Sequence, residues 1–215
     1  MLKTLPILLI VFVAGCSQGR LMQAKDFKEL SPAVQWVRAP GERPVWLWLF
    51  FIPAAVSNDF DQVSLGDGYL TVVEGYRDSE GATAYSYAKV TRTISLRDGS
   101  LLPPKPAGKT SGQRLAFRDF AYGSRHEAVL PNGLTLIVWD GFRKLDGLHS
   151  DIANLVISDA GSTAGIASSQ KASDVYPAAT YFDLGGGRIL LVFSRYIFCI
   201  DCNNVRLRPT TRPSP

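Results

Sequence analysis

Two histidines and three cysteines are scattered along this 215-residue chain, which leaves a zinc site short of ligands at any recognisable spacing. No G-x-S-x-G elbow occurs, so a serine hydrolase of that type has no nucleophile turn. The glycine run at 184–188, "LGGGR", lacks the Lys-Ser/Thr pair and following helix of a phosphate loop and reads as a hairpin turn. "NDFD" at 58–61 lacks the calcium-loop pattern. A formal charge of +4 comes without a basic block, the nearest approach being Arg206, Arg208 and Arg212. Nucleic acid, which needs many phosphate contacts along one surface, is therefore not an expected partner. None of these features calls for a cofactor.

What is present is an ordinary globular composition, 46% hydrophobic and 20% charged, with nineteen glycines, thirteen prolines and 11% aromatic residues. Aromatic-rich runs punctuated by glycine and proline favour strands and turns over helices. The expected fold is all-β, built mainly of antiparallel hairpins as a sandwich or a propeller-like meander, with at most one or two short helices. "DGYLTVVEG" from 67, "NGLTLIVWDG" from 132 and "GGRILLVFSR" from 186 each put a glycine turn before an apolar run, which predicts the second strand of a hairpin. "ATAYSYAKVTRTISL" at 82–96 alternates as a half-buried strand does, and "RDGS" at 97–100 turns it. "QRLAFRDFAY" is strand-like, and "DIANLVISD" suits a strand or a short helical turn.

Ser31 and Pro32 are suited to open a short helix that "APGERP" would end. "VWLWLFFIPAAV" at 45–56 is apolar at both parities and predicts one strand covered on both faces. Its alternative is a face turned to a membrane or a partner. "AGSTAGIASSQKAS" at 160–173 predicts a mobile surface loop.

The first fifteen residues carry one early lysine, Lys3, and then "LPILLIVFVAG", an apolar stretch of signal-peptide length and too short to span a bilayer. Val13, Ala14, Gly15 and Cys16 resemble the lipobox of bacterial lipoproteins. That resemblance implies cleavage before Cys16, a diacylglycerol thioether on its sulfur and an acyl chain on the new amino terminus. Several chains together make a stable anchor where one is marginal. Ser17 after the cysteine implies sorting to the outer membrane. The expected organisation is a signal peptide at 1–15, a lipidated tether at 16–30, one β-rich domain at 31–208 and a disordered tail at 209–215.

With Cys16 lipidated in an oxidising compartment, Cys199 and Cys202 remain, and a structural disulfide between them is the expected state. It requires a turn at Ile200–Asp201, because an extended strand would hold the two Cα atoms ~10 Å apart. Free thiols, a redox pair and a metal site are the alternatives. His126, near Ser124 and Glu127, lacks an evident orienting acid and reads as part of a solvated loop, and His149 beside Asp151 fares no better. No catalytic residue is assigned and no enzyme is expected. The expected partners are a membrane, reached through the lipid, and a protein. "YLTVVEGYRDSEGATAYSY" at 69–87 is similar to immunity lipoproteins for type VI secreted lipases. That resemblance implies an immunity-type inhibitor of an envelope-attacking toxin on the periplasmic side. The alternatives are an assembly subunit of a secretion or surface apparatus and, behind it, an envelope hydrolase using His126 or His149.

Overall fold

A computed structural model describes residues 19–47, 52–57, 59–75, 90–120, 123–140, 142–145, 148–151, 154–168, 179–193 and 196–209. The first strands are β1 (Arg20–Leu21), β2 (Glu29–Leu30), β3 (Val34–Ala39), β4 (Glu42–Leu47) and β5 (Ile52–Ser57). Next come β6 (Asp59–Gly66), β7 (Tyr69–Gly75), β8 (Val90–Ser95) and β9 (Leu101–Leu102). They are followed by β10 (Gln113–Arg114), β11 (Ala116–Phe120), β12 (Gly123–Val129), β13 (Thr135–Asp140), β14 (Phe142–Leu145) and β15 (Leu148–Asp151). The last are β16 (Asn154–Asp159), β17 (Ser162–Ser168), β18 (Ala179–Gly185), β19 (Arg188–Phe193), β20 (Tyr196–Asp201) and β21 (Arg208–Pro209). Every ladder is antiparallel. Two single 3-10 turns, at Ala24–Asp26 and Cys202–Asn204, are the helical elements among the described residues. The fold is all-β, as expected.

Three layers result, and the middle one explains why β19 is apolar on both faces. The central sheet runs β1-β3-β20-β19-β18-β10. Strand side chains alternate between faces, so "RILLVF" in β19 serves two cores. Ile189, Leu191 and Phe193 join Phe198 and Ile200 of β20 in one core, against Leu136, Val138, Leu155, Ile157 and Ile166 of the sheet β11-β12-β13-β16-β17-β2. Leu190 and Val192 join Trp36, Ile197 and Cys199 in the other core, against Leu70, Val72 and Ile94 of the sheet β6-β7-β8-β9. At one edge of the central sheet the chain crosses from β10 to β11 at Leu115. Its N–H donates to the Ala179 carbonyl at 3.0 Å while its side chain enters the first core.

The three glycine-led segments are β7, β13 and β19, each the second strand of a hairpin and each inside a different sheet. Their turns use left-handed backbone at Gly68, Gly133 and Gly186, with φ of 73°, 83° and 62°, which glycine adopts without a Cβ penalty.

Other segments depart from expectation. "VWLWLFFIPAAV" is not one strand. It divides into β4 and β5, which pair with each other, Trp46 opposite Pro53 and Leu47 opposite Ile52. The expected helix after Ser31 is a turn that leads straight into β3, because Val34, Trp36, Val37 and Arg38 find backbone partners along β20. The "tether" at 19–30 belongs to the domain. Arg20 forks onto the Asp26 carboxylate at 2.9 and 3.1 Å, β1 and β2 each join a sheet, and Phe27 enters the core. Within the expected loop at 160–173, residues 162–168 form β17, with Ala164, Ile166 and Ala167 buried. Arg208 and Pro209 pair with Thr163 and Ser162. The signal peptide, Cys16 and residues 210–215 lie outside the described residues.

Candidate functional site

In a stack of antiparallel sheets the connections alternate between two ends, and here the two ends differ. One end gathers tight turns from all three layers. Asp67, Gly68, Leu96 and Arg97 of the β6–β9 sheet line an open groove of ≈ 700 Å³ together with Asp183 and Arg188 of the central sheet. Beside it, Pro131 and Asn132 face Gly185–Gly187 and Cys202 across a smaller hollow of ≈ 270 Å³. This turn end is polar and held by local hydrogen bonds. The Asp98 carboxylate accepts from the Ser100 hydroxyl at 2.8 Å and the Ser100 N–H at 3.2 Å, and Ser100 and Ser95 bring its pKa down to about 2. Asn203 donates to the Gly186 carbonyl at 2.8 Å, and a Cβ at Gly187 would strike that asparagine.

At the opposite end of the central sheet β3 passes into β4, and β1 meets it there. Arg20 pairs with Ala39 in an antiparallel register, so β1 followed backwards runs toward the place where β4 begins. Gly19, with φ of 75°, sits so close to this junction that a Cβ would lie 2.5 Å from the Ala39 carbonyl oxygen and 3.1 Å from the Gly41 nitrogen. Behind the junction lies a buried charge cluster. Arg38 donates to the Gly99 carbonyl at 3.0 Å and the Gly19 carbonyl at 3.4 Å. The Glu74 carboxylate accepts the Gly41 N–H at 3.3 Å and lies 3.7 Å from the Arg92 Nε. Burial raises the Glu74 pKa, against the pull of Gly41, Arg92 and Arg38, and burial lowers that of Arg38. The cluster clips the N-terminal segment and the root of β4 to the β6–β9 sheet. "YLTVVEG" signals only a strand, and the glutamate at its end gave no sign of being buried.

The expected Cys199–Cys202 bridge is not made: both thiols are free and buried. Cys199 lies within the β20 ladder opposite Leu190 and Trp36, and the chain stays extended through Asp201 before turning. An offset of three residues then sends the two side chains to opposite faces, Cys199 into one core and Cys202 into the other. Cys199 donates to Gln35 at 3.3 Å and receives Arg188 at 3.7 Å. Burial raises the Cys199 pKa and pushes Cys202 up to about 11. That shift is opposite to what a reactive thiol needs.

His126 is not in a solvated loop. It lies on β12 between Phe117 and Val138 in register, fully buried, with its ring edge-on to Phe193 at 5.8 Å and its pKa lowered by burial. Ser124 is opposite Asp119 and Asp140. His149, on β15, pairs with Lys144 of β14 in a separate two-stranded sheet, so the structure does not bring the two histidines onto one sheet. Among the described residues no three His, Cys, Asp or Glu side chains gather closely enough to hold a metal ion. No helix among them is long and apolar enough to cross a membrane. No protein-family model, curated protein or solved structure matches the chain.

Proposed function

We propose that this chain is an envelope lipoprotein held in the outer membrane through Cys16, facing the periplasm, and that it works as a non-catalytic protein-binding module. In its most specific form it is an immunity-type inhibitor of a secreted toxin that attacks the envelope. The observation that carries the reading is the seat of Gly19, three positions after Cys16 and packed against Ala39–Gly41. A lipid on Cys16 would hold the domain within ~11 Å of the bilayer. The β18–β19 turn, at the far end of the central sheet from Gly19, is then turned away from the membrane, while the β8–β9 turn lies beside the anchored segment, where Arg38 joins the Gly99 and Gly19 carbonyls. An open groove with Asp67, Arg97, Asp183 and Arg188 on its walls is offered to a partner. Charges around a recess steer and select a protein partner.

The test is capture from envelope extracts by the lipidated protein and by an Asp67→Lys/Arg97→Glu variant. A secreted envelope-degrading enzyme held by the wild type and inhibited by it supports the immunity reading. The variant is expected to bind it roughly tenfold or more weakly, the effect of losing an interface anchor. Capture of apparatus subunits instead would replace immunity with assembly. Equal capture by both proteins would remove the turn end as the binding surface.

A further inference from the structure

Among the described residues the β4–β5 hairpin combines an uncharged apolar sequence with strands that pair only with each other. From Pro44 to Val56 the sequence carries no charged residue. Glu42 and Arg43 come at the root, opposite Ser57 and Val56, and the paired positions beyond them are Pro44 with Ala55, Val45 with Ala54, Trp46 with Pro53 and Leu47 with Ile52. Among the described residues β4 and β5 pair only with each other, as a separate two-stranded sheet. A hairpin of two strands is marginal in water unless something covers its apolar residues.

We propose that this hairpin is a second membrane contact, an apolar arm lodged in the interfacial layer of the same bilayer that holds the Cys16 lipid. The inference rests on the anchoring proposed above and adds to it a second, non-covalent contact. Position is what selects lipid as the occupant. The root of β4 is the surface on which Gly19 sits, and β1 leads back from Gly19 toward that same end of β3. Three residues reach no more than ~11 Å, so an acylated Cys16 brings the root of the hairpin to the headgroups. Each arm has six residues and is ~20 Å long, too short to cross a ~30 Å hydrocarbon core.

Depth is limited by the backbone. The outer edges of both arms carry N–H and C=O groups that hydrocarbon cannot satisfy. The hairpin therefore lies at headgroup depth, where water and phosphates can pair those edges. Pro44 and Pro53 each remove one N–H donor. Trp46 belongs to the residue type enriched at that depth.

Purified lipidated protein is reconstituted into phosphatidylethanolamine/phosphatidylglycerol vesicles after labelling a cysteine introduced by Ala54→Cys with the environment-sensitive fluorophore NBD. Cys199 and Cys202 are buried and stay unlabelled in the folded protein. An Asn132→Cys label at the turn end is the comparison. The label at position 54 is expected to shift to the blue, to lose emission to brominated lipid and to be shielded from aqueous iodide, while the label at 132 does the reverse. If the protein floats with the vesicles but iodide quenches the label at 54, the hairpin proposal falls and the anchor stands. Shielding from both quenchers would mean that a protein covers the hairpin, which also overturns it. A protein that carries no lipid and does not float overturns the anchor and the hairpin together.

Discussion

Cys199 and Cys202 are thiols buried in different cores, and an alkylating reagent is expected to reach neither in the native protein. Both should react once the protein is unfolded without reductant. Two thiols that stay blocked in denaturant until reduction would restore the disulfide and contradict the fold at β20. Two carboxylates with shifted pKa values, Asp98 and Glu74, work in opposite directions. Asp98 titrates at about 2 in the fold against an ordinary value of 3.8. Its contribution is present above 3.8 and lost as pH falls through about 2. Thermal melts of Asp98→Ala should therefore differ most from wild type above pH 3.8 and converge as the pH is lowered. Glu74 titrates above its ordinary 4.5, so its neutral form suits the fold. Stability is greatest below 4.5 and declines as pH rises from there through the raised value. Glu74→Gln keeps an acceptor for Gly41 and should flatten that decline, and an unchanged slope would show that Glu74 ionises as freely folded as unfolded.

Strands announced by a glycine turn and a long apolar run were legible from sequence, because φ > 0 and alternation leave local marks. β7, β13 and β19 carry both. β17 has the glycine turn, at Gly161 with φ of 90°, but not the run: "STAGIAS" offers one large apolar residue, and beyond its hairpin partner β16 its neighbours β2 and β21 arrive from distant parts of the chain. The hairpin in "VWLWLFFIPAAV" was hidden because a run that is apolar at both parities has no mark at its midpoint. Leu190, fully buried between Trp36-side and β7–β8 contacts, is a direct probe of the three-layer arrangement. Leu190→Ala should cost ~2–5 kcal/mol in denaturant unfolding, and a loss below about 0.5 kcal/mol, the usual range for surface positions, would mean that one face of β19 is open. Gly133→Ala meets no atom within 4 Å but keeps φ at 83°, so the cost should be the backbone term alone, ~1–2 kcal/mol.

As a whole molecule the protein has a central sheet with two unlike ends, the N-terminal segment leading to one and the β18–β19 turn closing the other. The resemblance to a lipobox rests on four adjacent residues, Val13 to Cys16, and so needs no tertiary information. The groove was not readable, since Asp67, Arg97 and the pair Asp183 and Arg188 come from three hairpins that only the layered packing brings together. Burial of His126 was equally invisible, because "YGSRHEAV" shows no apolar alternation and the covering ring belongs to Phe193. Everything proposed about orientation depends on lipid at Cys16. Metabolic labelling with an alkyne fatty acid, followed by purification of the wild type and of Cys16→Ser, measures this directly. The expected result is label on the wild type and none on the variant. Undiminished label on Cys16→Ser, or a wild type that takes up no label, would contradict the anchored module.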